Sequence, residues 1–169
     1  IHVMNADGTG IEQLTDGDSS YRQRRLAAST SWSPDGTRIA FIRVVEGVSQ
    51  IHVINADGTG IEQLTDDNGS FSNPAWSPDG TQIAAAWDRE GHDLALVRMN
   101  ADGSGLGLLK PTGSVGDDWQ ESPGSLAWSP DGGLIIHEIG ADKTEIVISG
   151  LSGAWASTGV YGRSPDWID

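Results

Sequence analysis

The sequence contains no cysteine. Disulfides, thiol nucleophiles and thiolate metal ligands are thereby excluded, while the redox compartment stays open. Cations are scarce, with 10 Lys and Arg against 24 Asp and Glu, for a formal net charge of −14. That balance leaves no basic surface to neutralise phosphates, which argues against a nucleic-acid partner. It fits an acidic protein kept apart from its neighbours by like charge. Phe and Tyr number two each against seven Trp, so Trp is the expected core aromatic. No apolar run reaches the ~18 residues of a membrane span. The chain opens directly in a strand-like segment, with no leader pattern in view. No Gly-x-Ser-x-Gly stretch occurs; the nearest, Gly150-Leu151-Ser152-Gly153, is one residue short of a nucleophile elbow.

What is abundant is repetition and glycine, 23 of 169 residues. Residues 51–66 read Ile-His-Val-Ile-Asn-Ala-Asp-Gly-Thr-Gly-Ile-Glu-Gln-Leu-Thr-Asp, and residues 1–16 repeat them with Met4 in place of Ile54. A worn copy runs from Leu96 to Lys110 and a fainter one from Ile146 to Gly153. Each reads as a hairpin: a short strand, an Asn-Ala-Asp-Gly turn, and a return strand. A second hairpin alternates with the first. It is Ser31-Trp32-Ser33-Pro34-Asp35-Gly36 running into Ile39-Ala40-Phe41, and it returns around Trp76 and Trp128. Pro at the first corner and Gly closing describe a tight turn between two strands.

With the strands lettered a (Trp), b (Ile-Ala-Phe), c (Ile-His-Val) and d (Gln-Leu-Thr), the order is c-d, then a-b-c-d three times, then a. The last a is Arg163 to Asp169, which aligns Trp167 with Trp76. Four antiparallel strands every roughly 40 to 50 residues is the period of a propeller blade. The alternating Trp-Ser-Pro-Asp-Gly and Asn-Ala-Asp-Gly-Thr-Gly motifs, followed by Gln-Leu-Thr, resemble TolB-type propeller repeats over nearly the whole chain. The resemblance implies an all-β fold, a β-propeller of four-stranded antiparallel blades, about four in number, with one blade shared between the chain ends. It implies a single domain over residues 1–169 and a periplasmic or extracellular location. It assigns activity only loosely, because relatives include the Tol–Pal component, propellers beside serine peptidases, and some polysaccharide lyases.

In the shared blade the C-terminus supplies a, the N-terminus supplies c and d, and strand b is missing. Restoring about ten residues, one strand length, ahead of Ile1 gives four blades. Membership of a six- to eight-blade ring, or donation of the strand by a neighbouring molecule, are the alternatives.

The d–a connections carry the best binding signal. Eleven residues separate Thr65 from Trp76, but 17 separate Thr15 from Trp32 and 18 separate Lys110 from Trp128. The first long link holds Tyr21, Arg22, Arg24 and Arg25; the second holds Asp117, Asp118 and Trp119. Arg, Tyr and Trp are typical anchors of recognition surfaces. With Trp taken as packed between blades, two-residue alternation puts Ser29, Asn73, Ser125 and Ser164, with Ser31, Ala75, Ala127 and Asp166, toward the axis. Such a ring of small groups could hold waters or one ion. His2 and His52 are equivalent residues, expected to fill an aromatic slot rather than to share a metal. His137, beside Glu138, reads as a surface neighbour pair. Asn55, Asp57 and Thr59 offer alternate oxygens, as calcium loops do, but lack the distal Glu; turn formation accounts for all three.

The expected function is therefore a non-catalytic binding or assembly scaffold with no cofactor and no metal. Its partner is a protein, a second copy, or an anionic glycan, met on the d–a face. A propeller-type polysaccharide hydrolase or lyase, and a designed or amplified repeat protein without ligand, are the alternatives. Neither membrane insertion nor nucleic-acid binding is expected.

Overall fold

The computed structural model describes residues 1–15, 29–89, 94–110, 125–139, 145–152 and 154–161. These contain strands and turns and no helix. The first sheet pairs β1 (His2–Val3) with β2 (Glu12–Gln13). Three four-stranded antiparallel meanders follow. They are β3 (Thr30–Trp32) to β6 (Glu62–Gln63) through β4 (Arg38–Val45) and β5 (Val48–Asn55); β7 (Ser70–Trp76) to β10 (Gly107–Lys110) through β8 (Gln82–Asp88) and β9 (Leu94–Asn100); and β11 (Leu126–Trp128) to β14 (Trp155–Tyr161) through β12 (Leu134–Ile139) and β13 (Glu145–Gly150). These are the a-b-c-d units of the sequence in the expected order, each one blade of a propeller.

The motifs fold this way because their polar groups close on themselves. In the a–b turn, Ser33 Oγ donates to Asp35 Oδ1 at 2.6 Å and accepts from Arg38 N at 2.9 Å. Thr37 donates to the same carboxylate through N and Oγ1, at 3.0 and 2.8 Å. The turns at Asp79 and Asp131 repeat the scheme, with Gly133 supplying only its backbone N–H. In the c–d turn, Thr59 N and Oγ1 donate to Asp57 Oδ1 at 2.9 and 2.6 Å. Ala56 N then donates to Thr37 O at 2.8 Å, tying the two turns of a blade together. The d strand β6 is only two residues long, so the Gln-Leu-Thr motif holds it by side chains. Gln63 Nε2 donates to Thr65 O at 2.7 Å, and buried Thr65 Oγ1 accepts from Ile51 N at 2.9 Å.

Sheet faces, with their alternating residues, make the core. Ile39, Phe41 and Ile54 pack back against Ile1, Val3 and Leu14 of the first sheet. Ala40, Ile42, Ile51 and Val53 pack forward against Phe71, Trp76, Ile83 and Val97 of the next blade. Ala75, Ala84 and Leu96 continue against Trp128 and Ile135. Strands b and c read as unbroken apolar runs because each is covered on both sides.

Three expectations are corrected. Trp76 and Trp128 are buried at 6% and 8% exposure, but Trp32 is 49% exposed. Among the described residues the sheet that precedes Trp32 holds two strands, β1 and β2, and the Trp32 indole lacks the cover its equivalents receive. His52 is buried and tilted against Phe41 with ring centroids 5.7 Å apart, as expected, but His2, like Trp32, is exposed. His137 is no surface residue: it is 1% exposed, with Nε2 3.0 Å from Ser149 Oγ.

Candidate functional site: the groove of inner strands and the turn face

The inner strands β3, β7 and β11 run side by side. They line an open, shallow groove of about 290 Å³ formed by Ser31, Trp32, Ala75, Trp76, Ala127 and Trp128, with Pro34, Pro78, Ser77 and Leu126. Ser31 and Ala75 do not simply point at an open axis, because they also serve the next blade. Ser31 Oγ accepts from Trp76 N at 3.1 Å, and Trp128 Nε1 donates to Ala75 O at 3.0 Å. Strand a of one blade thus seats the Trp of the following one, through the Ser31 hydroxyl in one case and the Ala75 carbonyl in the other.

The residue three before the Trp departs from simple alternation in β7. Its pairing with β8 shifts between Ser72 and Ala75, so Ser72 faces Ala86 and Ala75 faces Ala84. Asn73 is the extra residue of this bulge and has φ 52°. Ser72 takes the pairing position that alternation assigns to Asn73. The bulge also turns Phe71 onto the Trp76 side, where it is fully buried. Of the other residues expected at the channel, Ser29 Oγ is buried without a hydrogen-bond partner and Ser125 is half-buried next to β11. Ser164 and Asp166 lie outside the described residues. So do Tyr21, Arg22, Arg24, Arg25, Asp117, Asp118 and Trp119.

A second groove, about 420 Å³, lies between the turns of the second and third blades. Asp79, Gln82, Arg98, Trp128, Asp131 and Leu151 line it. The equivalent position one blade earlier is filled: the Arg38 guanidinium lies 4.8 Å over the Trp76 ring. Gln82 stands where Arg38 stands and is too short to cover Trp128; it accepts instead from Arg98 Nη1 at 3.2 Å. Sequence reasoning missed Arg38, Gln82 and Arg98. The available signal was that strand b opens with a different residue in each blade, Arg38, Gln82 and Leu134, amid otherwise repeated neighbours.

The electrostatics follow the turns. Ser33 and Thr37 donate to the Asp35 carboxylate and hold its pKa down at about 2. Asp79 and Asp131 are lowered, first by Ser77 and Ser129 respectively. Asp7, Asp57 and Asp102 are lowered by Thr9, Thr59 and Ser104. In a meander, a–b and c–d turns share one end, so all six carboxylates sit at that end of the blades. The oxygens considered for calcium at Asn55, Asp57 and Thr59 are bonded to one another. Among the described residues, no group of three or more His, Asp or Glu side chains is gathered as metal ligands.

The sequence pattern of the TolB beta propeller domain matches residues 1–153. The chain belongs to the TolB β-propeller family. A TolB-type chain from Agrobacterium tumefaciens, described as a possible TolB, superimposes with a TM-score of 0.62 at 24% identity, over 80% of this chain and 50% of that one. A chain of a nidogen/laminin complex superimposes with a TM-score of 0.63 at 14% identity, over 82% of this chain and 51% of that one. Both show the fold alone. Dipeptidyl-peptidase 5 of Porphyromonas endodontalis is 41% identical over 51 residues, which are 30% of this chain and 6% of that protein. The chain thus spans about half of the propeller structures it resembles and a small part of the peptidase. Among the described residues of this TolB-type propeller, no helix is long and apolar enough to cross a membrane.

Proposed function

We propose that this TolB-type propeller is a recognition or assembly module that works in the periplasm or outside the cell and meets an acidic protein segment, or an anionic glycan, on its d–a face. The observation that carries this reading is the opposition of the two ends. The a–b and c–d turns commit their aspartates, ionised at neutral pH, to holding the blades, which leaves that end negative. The d–a links leave from the other end. Three of the ten basic residues, Arg22, Arg24 and Arg25, stand together in one of them beside Tyr21. Asp117, Asp118 and Trp119 in the second long link supply the complementary half of the surface.

The test is retention of the chain on immobilised acidic peptides and sulfated glycans. Replacing Arg22, Arg24 and Arg25 together by Ala is expected to lower affinity by about tenfold or more, as loss of an Arg-rich anchor does. Equal retention of both proteins would remove the reading.

The 51-residue match to dipeptidyl-peptidase 5 favours a second reading, in which the propeller is one part of a larger hydrolase. Release of a chromophore from a dipeptidyl amide by the full gene product supports it; no turnover counts against it.

A further inference from the structure

Departures from the repeat gather on one groove. Where the first blade meets the second, the Arg38 guanidinium lies over the Trp76 ring and Val53 is a buried apolar neighbour. Where the second meets the third, Gln82 holds the position of Arg38 and Arg98 that of Val53, as their strand partners show: Asn55 and Asn100 for the first pair, Ala40 and Ala84 for the second. The shorter side chain vacates room, and the groove of about 420 Å³ stands there against Trp128. The longer one brings guanidinium donors, of which Nη1 reaches Gln82 Oε1 at 3.2 Å. A third departure is Gly133 in place of Thr81. Asp79 accepts from Ser77 and Thr81 through both carboxylate oxygens. Asp131 accepts from Ser129 and Gly133 through Oδ1 alone among the described residues. A fourth is Leu151 in place of Ala101, which gives the groove an apolar wall.

The vacated room thus combines donors, acceptors and apolar surface. An anion there would face Asp79 and Asp131, and a cation would face Arg98; like charges brought together are disfavoured. A hydroxyl both donates and accepts, so neighbouring hydroxyls accept from Arg98 and Gln82 Nε2 and donate to Asp131 Oδ2. The volume falls within the about 300–1,000 Å³ of small-molecule sites. We infer that this groove is a binding site for a neutral sugar ring, with hydroxyls on Arg98, Gln82 and Asp131 and a C–H face against Trp128 and Leu151. The polar groups fix orientation and the apolar ones supply contact area. The site lies at the turn end of the blades, opposite the d–a links, and its ligand is uncharged, so it does not rest on the d–a reading.

The probes are the methyl glycosides of glucose, galactose, mannose and N-acetylglucosamine, titrated into the isotope-labelled chain. At least one is expected to give saturable NMR shifts of the Trp128 indole N–H and the Gln82 side-chain amide at millimolar sugar. Arg98→Leu should weaken that binding about tenfold, the loss expected when hydrogen bonds from a charged donor disappear. Gln82→Arg repeats the Arg38 arrangement, fills the groove and should abolish binding; the Arg98 variant keeps the test open if this one folds poorly. Methyl glucuronide and glucosamine, an acid and an amine of the same ring, should bind more weakly. No shift with any neutral glycoside, shifts that map away from the groove, equal binding of the charged sugars, or undiminished binding by a folded Gln82→Arg variant overturns the inference. Neutral tetrasaccharides titrated in parallel identify the source of the ring: tighter binding than the methyl glycoside assigns it to a glycan chain, equal binding to a free sugar. None of these readouts involves Arg22, Arg24 or Arg25, so this inference and the d–a reading fail separately.

Discussion

Two tryptophans with one motif meet different hydrogen-bonding fates. Trp128 Nε1 has the Ala75 carbonyl at 3.0 Å, whereas Trp76 Nε1 is buried without a partner. A buried donor left unpaired carries its desolvation cost, while a paired one recovers it. Replacing each by Phe removes similar area but only one hydrogen bond. Trp128→Phe removes the indole hydrogen bond to the Ala75 carbonyl; Trp76→Phe removes an unpaired donor. Urea unfolding should show Trp128→Phe as the more destabilising, by about 1 kcal/mol. Equal losses would mean that the Ala75 contact contributes nothing net.

At the scale of the element, the β7 bulge decides which side chains reach the core. Phe71 and Trp76 are five positions apart, an odd offset, so strict alternation sends them to opposite faces. The shift between Ser72 and Ala75 brings both into one cluster, where full burial of a Phe contributes about 1.5–3 kcal/mol. The extra residue, Asn73, has positive φ, which Asn tolerates and a β-branched residue does not. Asn73→Val should therefore destabilise by about 1–2 kcal/mol, and Asn73→Gly by less. Thermal melting of the pair checks this; a Val variant as stable as the Gly variant would show that the bulge is not held at that φ. The bulge was not legible, because Asn-Pro in a strand reads as an irregularity without saying where the register moves. The b–c turn was equally hidden: Glu46 and Gly47 both take positive φ, 52° and 88°, the geometry of a two-residue hairpin turn, without the usual Asn-Gly signature.

At the scale of the molecule, stability should fall in acid in two stages. His52 has its pKa lowered from 6.5, chiefly by burial, so below pH 6.5 the unfolded chain binds a proton that the folded chain refuses. The turn aspartates are lowered from 3.8, Asp35 to about 2. For each, the contribution to stability is complete above pH 3.8 and is lost as pH falls toward the folded value. The urea midpoint should decline gently below pH 6.5 and steeply from about pH 4 to pH 2, and Asp35→Asn should shallow the steep limb. A midpoint that stays constant from pH 4 to 2.5 would show that the turn carboxylates are not linked to folding.

The sequence by itself determined the blade unit, because its information is local. A Ser-Pro-Asp-Gly or Asn-Ala-Asp-Gly turn is closed by side chains within five residues, so the four-residue words imply the hairpins and their alternation implies the meander. It also placed the apolar runs of strands b and c between neighbours. Only the tertiary structure decided what each repeat meets. Gly58 and Gly103, identical in motif to Gly8, come close to Leu14 and Leu64 of the preceding blade, whereas a side chain at Gly8 would meet nothing. Trp32 and His2 carry the same letters as their buried equivalents and stay exposed. Burial belongs to the pair of surfaces in contact, and a repeated sequence describes only one of them.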